Sequence, residues 1–203
     1  MRRHDPERRR FLSVFAVTAA AASSLPFIFK ATRPAVAAEA PKPMQAGNVT
    51  LDCFAPDKKP LGSCVEAKVV MTDEQWRQKL DSRSYYVTRH EGTEPAYTGP
   101  GWNRHDNGLY RCIGCDTALF DSATKFDSGT GWPSFWQPIS KRNIVQTDDR
   151  SLVEDRTAVS CARCGAHLGH VFDDGPDPTG LRYCMNAVAM HFVPVPGVHI
   201  TLS

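Results

Sequence analysis

Two C-x-x-C pairs, CIGC at 112–115 and CARC at 161–164, stand 45 residues apart in a chain of 203. Each loop brings two sulfurs close enough to share one ion, and four thiolates complete a closed tetrahedral zinc site. Cys112, Cys115, Cys161 and Cys164 therefore demand a fold in which two distant loops meet. A closed four-thiolate site has no open position for water, so the expected zinc, one per chain, is structural. Two rival readings exist. Either pair would serve as a redox-active disulfide if it opened a helix in a thioredoxin-like βαβ pattern, and that pattern is missing. Cys161, Cys164, His167 and His170 would form a site of their own only by crowding the ion.

The length and a 41% hydrophobic content suit one ordinary core. Residues 1–38 hold seven Lys/Arg against Asp5 and Glu7, which leaves 17 basic and 20 acidic residues, about −3, in the rest. No basic block stands out there, so a nucleic-acid partner is not expected. In the first 38 residues, ERRRFLS precedes an alanine-rich apolar run from Phe11 to Phe29, and AVAA follows at 35–38. That order is the pattern of a bacterial export signal, and Arg-Arg-x-Phe-Leu resembles the twin-arginine type. The expectation is a periplasmic protein. An uncleaved membrane anchor is disfavoured by Pro26 and the neighbouring serines, because a span needs about 20 apolar residues.

Residues 39–66, rich in Pro, Lys and small residues without a sustained period, read as a linker or irregular arm. They carry Cys53 and Cys64. In MTDEQWRQKL (71–80), Thr72 is a helix cap with Gln75 three residues on, and Asp73 and Glu74 occupy the first turn. From Leu109 onward the apolar segments are short, rich in Val, Ile, Tyr and Phe, and bounded by Gly, Pro and Asp. This pattern predicts a mainly β, antiparallel fold. LRYCMNAVAMHFVPV (181–195) reads as strand, closed by Pro194 and Pro196.

Cys184 stands alone in GLRYCMNA (180–187). On a strand, Arg182, Cys184 and Asn186 emerge on one face and Leu181, Tyr183 and Met185 on the other. A guanidinium beside the sulfur favours thiolate, and an amide can donate to a bound ligand, which suits a nucleophile. A small buried core cysteine is the competing reading. HLGHVFDDG (167–175) adds His167, His170 and Asp174 as proton donors and acceptors. FDSGTGWPSFW (126–136) clusters Phe126, Trp132, Phe135 and Trp136, either as core or as a cradle for a thioether.

In this order, the two C-x-x-C pairs, SGTGWPSF, HLGHVFDDGP and GLRYCMN closely resemble methionine sulfoxide reductase type B over roughly residues 70–195. The resemblance implies two antiparallel sheets in a compact barrel-like domain over 67–203, a few peripheral helices and a structural zinc on the four cysteines. It further implies reduction of the R epimer of methionine sulfoxide in oxidised proteins or peptides. Cys184 is then the nucleophile and Trp132 the platform for the methyl group, while His167, His170, Asp174, Arg182 and Asn186 match the polar groups of the active site. Attack of Cys184 on the sulfoxide sulfur, with His170 as acid, leaves a sulfenic acid that condenses with a thiol.

Many members of that family carry a resolving cysteine where this chain has Thr130. Three routes remain. Cys64, or less favourably Cys53, swings from the arm onto Cys184; Cys53 and Cys64 are instead bonded to each other, as an oxidising compartment permits; or an external thioredoxin-like thiol protein reduces the sulfenic acid directly. Outside this enzyme class stand a zinc-ribbon-like binding module, with Cys184 inert in the core, and a zinc hydrolase using His170 and Asp174. Four cysteine ligands leave the latter no open metal position.

Overall fold

The segments rich in Val, Tyr and Phe pair antiparallel throughout the computed structural model, whose described residues are 44–149 and 156–197. The export-signal segment 1–38 lies outside the described residues. The described strands are β1 (Asn48–Phe54), β2 (Pro60–Ala67), β3 (Gly108–Cys112), β4 (Ala118–Asp121), β5 (Lys125–Phe126), β6 (Ser134–Phe135), β7 (Ile144–Asp149), β8 (Arg156–Cys161), β9 (His167–Phe172), β10 (Arg182–Met185) and β11 (Met190–Pro194). They form a six-stranded sheet ordered β5-β6-β10-β9-β8-β7, a three-stranded sheet ordered β11-β3-β4, and the separate hairpin β1-β2. The mainly β, antiparallel expectation holds, with two sheets in the domain and a hairpin beside them.

The core lies between the inner faces of the two larger sheets. Phe120 of β4 stacks on Phe135 of β6 at 4.4 Å between ring centroids, and Tyr110 meets Phe135 edge-on at 5.0 Å. Such pairs add about 0.5–1.5 kcal/mol each beyond the area they bury. Tyr183 and Met185 of β10 face this core at 1% and 0% exposure, whereas Arg182 and Cys184 between them are only partly buried. The period-two alternation therefore splits β10 into a core face and a chemical face.

Two helices pack onto this core, burying Trp76 and Val87 in it. α1 (Asp73–Lys79) begins with the expected capping box: Gln75 N–H donates to Thr72 Oγ1 at 3.3 Å, and Thr72 N–H donates to Gln75 Oε1 at 2.8 Å. α2 (Ser82–Arg89) was not expected from sequence. Asp81 caps it by accepting the N–H groups of Arg83 and Ser84, and Arg89 reaches back to lay its guanidinium 4.7 Å over the buried Trp76 ring.

Two expectations need correction. Residues 48–66 of the expected irregular arm form, together with Ala67, a regular hairpin, held to the domain through Leu51, Asp52 and Phe54. Leu51 is 3% exposed, Asn143 Nδ2 donates to the Asp52 carbonyl at 2.9 Å, and Arg111 donates to the Phe54 carbonyl at 2.8 Å. The predicted strand 181–195 is broken after Met185 by a 3₁₀ turn, Ala187–Ala189. β10 and β11 consequently belong to different sheets. The two alanines carry no β-branch to hold the chain extended, and the N–H groups of Ala187 and Val188 are drawn onto the Glu94 carboxylate instead.

Candidate active site and metal centre

The two knuckles close the ends of strands. Cys112 ends β3 and Cys161 ends β8, while Cys115 and Cys164 lie in the turns that follow. Each turn is fixed by backbone bonds: Asp116 N–H to the Cys112 carbonyl at 2.9 Å, and Gly165 N–H to the Cys161 carbonyl at 2.9 Å. Gly165 adopts φ +65°, a left-handed conformation that favours glycine. The four sulfurs all lie within 4.8 Å of one another, and Cys112–Cys164 and Cys115–Cys161 are each 3.5 Å apart. A tetrahedral zinc with bonds of about 2.3 Å separates its sulfurs by about 3.8 Å. The cluster thus fits a metal of that kind. His167 and His170 are not among its donors, which removes the rival Cys-Cys-His-His set.

Cys184 sits in the middle of the six-stranded sheet, opposite Ser134 of β6 on one side and His170 of β9 on the other. Directly opposed residues of antiparallel strands share a face, with Cβ atoms about 4.5–5.5 Å apart. A chain of hydroxyls borders the sulfur. Thr130 Oγ1 lies 3.9 Å from Sγ, and Ser128 Oγ bridges Thr130 Oγ1 at 2.8 Å to Ser134 Oγ at 2.7 Å. Burial pushes the Cys184 thiol above its ordinary range, although the Thr130 hydroxyl and the nearby Arg182 guanidinium pull the other way. By itself the Arg182 guanidinium favours the thiolate. Desolvation outweighs it, and the resting group is a thiol.

His170 is held by a charged pair from the neighbouring hairpin. Its Nε2 lies 2.9 Å from Asp149 Oδ2, and Arg156 donates to that same oxygen at 2.7 Å. Burial lowers the imidazole pKa, with the Asp149 bond opposing, so the ring is neutral at rest. With Nε2–H donated to the carboxylate, Nδ1 is left as a proton acceptor. His167 stands edge-on to His170 at 5.2 Å and is only 3% exposed. Burial pushes His167 down to about 4, which makes it a neutral prop for the second ring.

The remaining expected residues divide. Arg182 holds Asp174 through two bonds of 2.8 Å and lies 4.4 Å over the Phe172 ring, so the pair borders the Cys184 face. Asn186 is turned inward and 3% exposed. Its Oδ1 accepts the Glu94 N–H at 2.9 Å and its Nδ2 donates to the Leu168 carbonyl at 3.1 Å, so backbone groups already engage both ends of the amide. Trp132 is half-buried, with Nε1–H donating to the Glu94 carbonyl at 3.0 Å. Of the aromatic cluster Phe135 is wholly core, whereas Phe126, Trp132 and Trp136 keep part of their surface exposed.

Cys53 and Cys64 are joined in a disulfide. The hairpin carrying them grips the knuckle loops: Arg163 donates to the carbonyls of Ala67 and Cys115 and pairs with Glu66 at 2.8 Å. None of these groups is a neighbour of Cys184. Sequence reasoning missed Asp149, Arg156 and Glu94. Asp149 and Arg156 oppose each other across β7 and β8, yet nothing local ties them to a histidine 21 residues beyond Asp149. Glu94, in GTEP, carries no periodic signal at all.

A family model described as the SelR domain matches residues 80–194, a span that contains both knuckles, Trp132, His170 and Cys184. Rice "Peptide methionine sulfoxide reductase B1, chloroplastic" is 55% identical over 120 residues, 59% of this chain and 56% of the rice protein. Mouse "Methionine-R-sulfoxide reductase B3, mitochondrial" is 49% identical over 138 residues, 66% of this chain and 54% of the mouse protein. This chain therefore spans little more than half the length of those two relatives. "Peptide methionine sulfoxide reductase MsrB" of Agrobacterium fabrum is 50% identical over 128 residues, 63% of this chain and 95% of that protein. The chain belongs to the SelR-domain family, that of the type B peptide methionine sulfoxide reductases.

Proposed function

We propose that this protein reduces the R epimer of methionine sulfoxide, in proteins or peptides, with Cys184 as nucleophile. The observation that carries the reading is the pairing of Cys184 with a neutral, carboxylate-held His170 directly across the sheet. A thiol and a free imidazole nitrogen suffice for the first step. His170 Nδ1 takes the thiol proton as the sulfur attacks the electrophilic sulfoxide sulfur, and returns it to the oxygen. Oxygen passes to Cys184, methionine leaves, and the cysteine becomes a sulfenic acid. Trp132 supplies the ring against which the methyl group rests, and Arg182 with Asp174 closes the polar side.

Thr130 cannot form a disulfide, and Cys53 and Cys64 are already bonded to each other. The reading we favour is reduction by an external dithiol. One thiol condenses with the sulfenic acid to release water and form a mixed disulfide, and the second thiol attacks that bond to restore Cys184 and leave the donor oxidised. Cys112, Cys115, Cys161 and Cys164 would hold zinc, which cross-links the two knuckles and offers no position to substrate. Export through a twin-arginine-like signal at 1–38 is part of the same proposal. The Cys53–Cys64 disulfide supports it, since such bonds persist in oxidising compartments. Among the described residues no helix is long and apolar enough to cross a membrane.

The test is turnover of the separated R and S epimers with dithiothreitol, wild type beside Cys184→Ser. Reduction of R alone, lost in the variant, is expected. A folded, metal-loaded wild type that reduces neither epimer returns Cys184 to the core of a binding module.

A further inference from the structure

Glu94 is a carboxylate at 2% exposure, outside the groups that the proposed chemistry uses. Taking such a charge out of water is costly unless hydrogen bonds replace the lost hydration. Here they do, and every one leads to the site. The carboxylate accepts the N–H of Ala187 at 2.5 Å and of Val188 at 3.2 Å, which pins the chain just after Cys184. The Glu94 N–H donates to Asn186 Oδ1 at 2.9 Å, and the Glu94 carbonyl accepts the Trp132 indole N–H at 3.0 Å. Through Asn186 the link continues to the Leu168 carbonyl on β9, two residues before His170. Gly99 leaves the necessary room: a Cβ there would stand 2.5 Å from Glu94 Oε1 and 2.5 Å from the Ala187 Cβ.

We propose that Glu94 is a positioning residue for the reducing site, setting the orientation of the Trp132 indole relative to Cys184. The mechanism is mechanical. With its carboxylate fixed to the turn after β10, the Glu94 backbone has one attainable position, and its carbonyl fixes the indole N–H. The ring then presents one face at one height to the methyl group beside the attacking sulfur. The inference rests on the reductase reading for its kinetic arm, while its spectroscopic arm does not.

Glu94→Gln keeps the side-chain volume but sets an amide N–H against one of the two backbone donors. Glu94→Ala removes both contacts, and the glutamine variant carries the test if the alanine variant fails to fold. Three readouts are taken on full-length protein with its metal content measured: the Nε1–H resonance of Trp132, identified by its loss in Trp132→Phe; kcat and KM for the R epimer with dithiothreitol; and the same kinetics for Glu94→Gln placed in the Trp132→Phe background. The expected result is a shifted indole resonance and a fall in kcat/KM of about 10- to 100-fold, carried more by KM than by kcat, with metal content unchanged. In the Trp132→Phe background the same substitution should change kcat/KM by less than about threefold, since coupled residues are non-additive. An unmoved resonance, unchanged kcat/KM, or the full loss repeated without Trp132 overturns the proposal. If the wild type has no turnover, the reductase reading fails and the resonance alone decides the positioning.

Discussion

Cys112 and Cys184 are both strand cysteines of one β-rich domain, and their surroundings make them different chemical groups. Around Cys112 stand three more sulfurs within 4.8 Å, in a cage that fits one ion. Around Cys184 stand a histidine, two hydroxyl-bearing side chains and a guanidinium, with no second sulfur among the free cysteines beside it. Burial disfavours a bare thiolate in either place. In the cage the remedy would be a shared cation; at Cys184 it is an unionised thiol with a proton acceptor across the strand. The use of a cysteine is thus decided by its neighbours, and burial alone says nothing of it.

The largest expected effect separates the two regions. Cys112→Ser should lose the metal and with it the cooperative fold, because the binding free energy of a structural zinc, about 10 kcal/mol or more, is folding free energy. Cys184→Ser should keep metal content and melting temperature. Elemental analysis and calorimetry on the two variants check this, and equal destabilisation by both would erase the distinction.

A smaller effect tests the burial around the active site. His167 has an ordinary pKa of 6.5 that the fold pushes down to about 4. The unfolded chain therefore takes up a proton between these values that the folded chain refuses. Stability from this residue is complete above about pH 6.5 and is lost as pH falls toward 4, by about 3 kcal/mol in all. Urea midpoints of wild type and His167→Phe across that window should converge at the acid end. Parallel curves would mean that His167 is not buried as described.

The smallest effect concerns the hairpin. Cys64→Ser opens a loop of 11 residues' separation, which is expected to cost about 2 kcal/mol, at the low end for disulfides because the loop is short. Turnover with a dithiol should stay within about twofold of wild type, since the hairpin touches the knuckle side rather than Cys184. A selective loss of thioredoxin-supported turnover would bring the arm cysteines back as the resolving pair.

Parts of this architecture were legible because they rest on local rules. The Thr72 capping box needs three residues, and the alternation of Arg182 and Cys184 with Tyr183 and Met185 needs only the pleat. The knuckles were legible through spacing. What escaped was whatever depended on distant partners: the hairpin in the supposed arm, stabilised by Asn143 and Arg111; the break after Met185, imposed by Glu94; and the inward turn of Asn186, which looked from its spacing like a ligand donor.

The sequence by itself picked out the four cysteines that cluster, the antiparallel class and the lone Cys184 proposed as nucleophile, because each is carried by residue type and short-range periodicity. Only the tertiary structure decided which carboxylate holds His170, that desolvation overrides the guanidinium at Cys184, and that Glu94 ties Trp132 to the end of β10. These are matters of distance and dielectric among residues as much as 94 positions apart. Ionisation and orientation follow from packing that no short stretch of sequence encodes.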